Sequence, residues 1–92
     1  MILLITYDLK KPGQDYSNLY EEIKTEGWWW HHLDSTWIIK TNNGPEYWYK
    51  KLAPHLDTND FIFICELKNN YYGFLPKKAW EWLTNVFNKE IY

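Results

Sequence analysis

The stretch Ile2-Leu3-Leu4-Ile5-Thr6-Tyr7 is apolar on both of its alternating sets. A strand lying on a half-solvated sheet alternates apolar with polar residues, because successive side chains point to opposite faces. A strand that is apolar both ways needs a covering layer on each side, so it belongs at the centre of a sheet. Asp8 ends the run, and the chain must supply enough secondary structure to bury both faces within 92 residues. At this length ~60–65% of the unfolded chain's surface can be buried, which allows one thin domain over residues 1–92 and not two.

The order of the remaining elements follows from period and turn chemistry. Residues 10–14 read as a loop, and Asp15 is placed to cap a helix carrying Tyr16, Leu19, Tyr20 and Ile23 at helical spacing, closed by Gly27. Trp28 to Leu33 and Ser35 to Thr41 read as two strands reversing near Asp34-Ser35. Asn42-Asn43-Gly44 is a turn, and Pro45 opens a second helix bearing Trp48, Leu52 and Leu56, broken near Pro54. After the turn at residues 57–60, Phe61 to Leu67 reads as a fourth strand. Residues 69–73 form a loop, and Pro76 begins a third helix with Ala79, Trp80, Leu83, Val86 and Phe87 on one face. Strand, helix, strand, strand, helix, strand is the order of a ferredoxin-like βαββαβ fold of the α+β class, here over residues 1–67 with an added C-terminal loop and helix over residues 68–92. The sheet face left open by the first two helices is expected to be closed by the tail helix or by a second subunit.

Composition narrows the partners. Seven Trp, eight Tyr and four Phe exceed what so thin a core can hold, so aromatic surface is expected to meet a ligand or another protein. Ten basic and twelve acidic side chains give a net charge of -2, and all ten basic residues are Lys. Without a basic face or any Arg fork, duplex DNA is not expected as a partner. No run is long enough for a membrane span, and the start lacks the features of a secretory leader, so a cytoplasmic protein without membrane contacts is expected. The single Cys65, within FIFICEL, is expected as a small core residue in a reducing compartment. No phosphate loop, Cys/His cluster or nucleophile elbow occurs.

Within the run Trp28-Trp29-Trp30-His31-His32-Leu33, alternation groups Trp28, Trp30 and His32 against Trp29, His31 and Leu33. The set not covered by helices forms a platform on which a nucleobase can stack, or fills a dimer interface. With Trp30 taken as outward, the expected ligand site comprises Tyr7, Asp8, Lys10, Lys11, Trp28, Trp30, His32, Ser35, Tyr71 and Tyr72, the lysines meeting phosphate.

The opening LITYDL, the strand DSTWII and the order of elements resemble the small ferredoxin-fold CRISPR-associated endoribonuclease family that partners the spacer integrase, and the related virulence-associated proteins. Within that group the chain is similar to short SinR-like proteins through the pattern WWHxLxSTW, here Trp29 to Trp37. The resemblance spans roughly residues 1–67. It implies a homodimer in which Asp8 faces its twin and holds Mg²⁺ or Mn²⁺ as the catalytic and metal-binding residue of a metal-dependent endoribonuclease. The residues themselves favour a non-catalytic homodimer without cofactor that binds a nucleotide or short single-stranded nucleic acid, one form being a phage-type protein that sequesters a nucleotide signal. A protein-interaction or assembly module and the Asp8 nuclease are the alternatives.

Overall fold

The structure, a computed structural model, describes residues 1–10 and 15–90. The strands are β1 (Ile2–Asp8), β2 (Trp29–Leu33), β3 (Thr36–Lys40) and β4 (Phe61–Glu66), and the helices are α1 (Ser17–Ile23), α2 (Pro45–Leu52) and α3 (Lys77–Glu90). They form one antiparallel sheet in the order β2-β3-β1-β4, with β1 paired to β3 and β4 so that Ile5 lies opposite Trp37 on one side and Ile64 on the other. This is the ferredoxin-like α+β arrangement with a C-terminal helix.

Both faces of β1 are covered, which accounts for its apolar character on both alternating sets. Leu3, Ile5 and Tyr7 pack with Trp37 and Ile39 of β3 against Leu19 and Ile23 of α1 and Trp48 and Leu52 of α2. Ile2 packs with Trp30 and Ile38 against Ala79, Leu83, Val86 and Phe87 of α3, with Leu4 beside them. The chain's own tail helix therefore closes the face that the first two helices leave open. It closes only part of it: Asp8, Phe61 and Phe63, which share that face farther along the sheet, remain exposed.

Local chemistry sets the boundaries. Asp15 does not sit at the cap position of α1, which Tyr16 occupies, but its Oδ1 accepts the Ser17 N–H at 2.9 Å. A 3₁₀ turn over Lys24–Glu26 follows α1 and is closed by Gly27 at φ 81°, a left-handed conformation open to glycine at no steric cost. Pro45 occupies the first turn of α2, and Pro54 lies in the 3₁₀ turn that ends it. Leu67 falls just outside β4 although its N–H still donates to the Ile2 carbonyl at 2.8 Å. Cys65, expected in the core, is only half-buried because β4 is an edge strand.

The hairpin contains an irregularity that sequence alternation does not reveal. Leu33 pairs with Thr36, and an unbroken ladder would then pair Trp29 with Lys40. Instead Trp30 pairs with Ile38 and Trp29 with Ile39, so His31 and His32 together oppose one residue of β3. This bulge sends Leu33 to the α3 side. Trp30 lies on that side as well, where its ring is 2% exposed and its indole N–H donates to the Ala79 carbonyl at 3.2 Å.

The entry to β4 is tied to β1 and α1 by one carboxylate. Asp60 accepts the backbone N–H of Lys10 at 2.8 Å, the N–H of Asp57 at 2.8 Å and the Tyr16 hydroxyl at 2.9 Å. Burial opposes its ionisation, but these donors outweigh burial and hold its carboxyl below the usual range. A folded-state value below the unfolded one, ~3.9, contributes stability that is present above that pH and lost as pH falls through the folded value. Asp60→Asn should therefore be less stable than wild type at pH 7, and urea midpoints of the two proteins should converge below about pH 4. At the α3 layer, Trp30→Ala should cost ~3–5 kcal/mol in urea unfolding, since it opens a cavity and strands a carbonyl. Trp28→Ala, removing a half-exposed ring, should cost much less.

Candidate functional site

The ten residues expected to form one ligand site are distributed over several places. Trp30 lies, as expected, on the sheet face away from α1 and α2, but it is a core residue there and offers no platform, because α3 covers its ring. Tyr7 is buried on the opposite face of the sheet. Its hydroxyl accepts the Trp37 indole N–H at 3.0 Å and donates to the Asp34 carbonyl at 3.3 Å. Burial pushes its pKa up to about 12, the Trp37 donor pulling the other way, so it stays a neutral structural bridge. His32 is exposed, with its ring edge-on to Trp30 at 5.1 Å. Ser35 lies in the β2–β3 reversal, where its carbonyl accepts the Tyr7 N–H at 3.1 Å. Tyr71 packs on Trp80 and Phe87, whereas its neighbour Tyr72 is fully exposed. Lys11 and residues 12–14 of the loop expected over residues 10–14 lie outside the described residues.

Asp8 stands at the exposed end of β1, with its Oδ2 2.7 Å from the Lys10 Nζ. Among the described residues no group of three or more His, Cys, Asp or Glu is placed to hold a metal ion. Magnesium or manganese takes several oxygen donors, and a lone carboxylate already engaged by an ammonium does not supply them within one chain.

What the structure does bring together is a lysine-flanked pair of indoles at the start of β2. Trp28 and Trp29 are each 40% exposed. Trp28 precedes β2, and its carbonyl accepts the Lys40 N–H at 3.0 Å, extending the shifted hairpin register by one residue. The Lys40 Nζ lies 5.3 Å from the Trp28 ring centre, and the Lys89 Nζ, from the last turn of α3, lies 4.4 Å from it. Trp29 packs against Trp37 at 5.5 Å and has the Lys24 Nζ 5.0 Å from its ring. Beyond it His31 stacks on Trp37 with centroids 3.7 Å apart, and its Nε2 donates to the Asp34 carbonyl at 3.0 Å. Each ammonium is attracted to the negative face of an indole by ~0.5–1 kcal/mol at such exposed positions.

Electrostatically this corner runs against the chain's net charge of -2. Lys24 has Glu21 at 4.0 Å, a distance that leaves the pair loose, and neither Lys40 nor Lys89 has an acidic partner among the described residues. Three cations and two half-exposed aromatic faces can accept a planar, electron-rich ligand carrying negative charge. Trp28 is the one member of this corner that the sequence reading also names. Lys24, Lys40 and Lys89 are not named there, because their meeting depends on the hairpin bulge and on where α3 ends. Trp29 could have been found by reading the alternation with the other set outward. No family model matches this chain, and no solved structure matches it, so the character of this corner rests on its own geometry.

Proposed function

We propose that this chain is a non-catalytic binding protein for a nucleotide or a short single strand of nucleic acid, with the base stacked at Trp28 and the phosphates met by Lys40 and Lys89. The observation that carries this reading is the Trp28 indole, 40% exposed and flanked by two ammonium groups at 4.4 and 5.3 Å. Stacking on an exposed indole contributes ~1–3 kcal/mol per base and tolerates any base, because each has a π-face. The lysines are held to the ring only weakly and can turn from it to a phosphate oxygen. Lys24 beside Trp29 gives a second stop for a neighbouring nucleotide around the edge of the sheet. The reading needs no Arg and no broad basic face, in keeping with a chain whose ten cations are all Lys.

Calorimetry with a short oligothymidylate and with mononucleotides tests this. Wild type is expected to bind, and Trp28→Ala to bind ten- to hundredfold more weakly, the equivalent of ~1–3 kcal/mol. With three lysines in play, the logarithm of affinity should fall against the logarithm of salt with a slope of about -2. Affinity that is absent in wild type, or unchanged in Trp28→Ala, would sink the proposal.

A further inference from the structure

The two edges of the sheet are built differently. Edge strands invite pairing with other chains, and sheets blunt them with charge, proline or bulges. The β2 edge is blunted by the His31-His32 bulge. The β4 edge lacks such a device over most of its length: Phe61-Ile62-Phe63-Ile64-Cys65 contains neither charge nor proline, the one charge of the strand, Glu66 at its end, is held by Lys68 at 3.0 Å, and its register to β1 runs unbroken from Leu3 opposite Glu66 to Asp8 opposite Phe61. Among the described residues no strand pairs with its outer side.

The direction of its backbone groups can be read from the ladder. The Leu67 N–H points to the Ile2 carbonyl, and alternation then turns Cys65, Phe63 and Phe61 toward β1 and leaves the N–H and C=O of Ile62 and Ile64 facing outward. On the face beyond the reach of α3, Phe61 and Phe63 are 68% and 64% exposed. On the opposite face Tyr49 and Leu56 border the same strand.

We infer that β4 is a self-association edge, and that two copies of this chain pair antiparallel through Phe61–Glu66 about a two-fold axis to join their sheets into one of eight strands. A second copy suits this edge because its outward N–H and C=O groups, those of Ile62 and Ile64, are self-complementary about Phe63: antiparallel pairing sets Ile62 of one copy opposite Ile64 of the other, and the reverse. It also places the Phe63 rings of the two copies as cross-strand neighbours near the axis, where aromatic pairs stabilise a ladder. The two Phe rings still expose roughly 250 Å² per copy, which with the strand edge and Tyr49 reaches the lower range of specific interfaces. The inference is independent of the ligand site, which lies at the opposite edge of the sheet.

Light scattering of the full chain across micromolar concentrations should give twice the 11.3 kDa chain mass, and Phe63→Lys should give the single-chain mass with an unchanged circular dichroism spectrum. Hydrogen exchange on wild type should show the Ile62 and Ile64 amides protected, increasingly so at higher concentration. In an isolated chain these outward N–H groups meet only water. The exchange pattern decides the matter even if Phe63→Lys fails to fold. A wild-type mass of one chain throughout, or a two-chain mass with the Ile62 and Ile64 amides exchanging freely, would overturn the inference.

Discussion

Everything in this molecule depends on covering both faces of β1 with a chain too short to do so easily. The two crossover helices serve one face, and α3 serves the other by packing on Ile2, Ile38 and above all the large ring of Trp30. The Trp30 ring fills the space between β2 and α3, and its indole N–H finds the Ala79 carbonyl. The same solution recurs at each fully buried indole. The Trp37 N–H donates to the Tyr7 hydroxyl, and that of Trp48 to the Thr41 hydroxyl at 3.0 Å. A buried indole with an unpaired N–H would forfeit much of what its large apolar area contributes, so the choice of partner decides where each Trp can sit. Thr41 illustrates the economy of a thin core. Its one hydroxyl also accepts the Asn43 N–H and donates to Glu26, joining α2, the β3 exit and the turn after α1.

The fold was largely legible in the sequence. Both alternating sets of β1, the β-branched content of the second hairpin strand, Pro45, Gly27 and the apolar stripe from Ala79 to Phe87 each report on local geometry, and the strand order follows from their succession. The lysine-flanked indole corner was not legible in the same way. Alternation groups Trp28, Trp30 and His32 against Trp29 and His31, and the structure keeps those sets, but nothing in the two histidines marks the bulge that sends Leu33 to the α3 side or shows that α3 lies over Trp30. From Leu33 opposite Thr36 the register slips by one, so that Trp30 pairs with Ile38 under α3 and Trp28 comes level with Lys40. Lys89 reaches the same ring from the far end of the chain, a contact set by the docking of α3.

The surplus of aromatic residues thus divides into roles that composition could not separate. Trp30, Trp37 and Trp48 are structural, each tied by a hydrogen bond. Trp28 and Trp29 keep two-fifths of their surface in water and hold cations on their faces. Phe61 and Phe63 have no polar atom to satisfy and line the opposite margin. A net acidic protein can in this way carry a locally cationic aromatic corner, because the field that a ligand meets at contact is set by charges within about a Debye length, ~8–10 Å, and not by the sum over the chain.

The His31-His32 bulge has a consequence for growth as well as for register. A sheet with two open edges can add copies at both ends without limit, which is the geometry of a filament. A sheet with one open edge and one blunted edge has a single valence. Two such sheets joined edge to edge present only blunted margins to the solvent, so the assembly terminates at its first step. With β4 as the association edge inferred above, the residue inserted into β2 would leave no second open edge for growth to continue, at the strand farthest from the surface where association would begin.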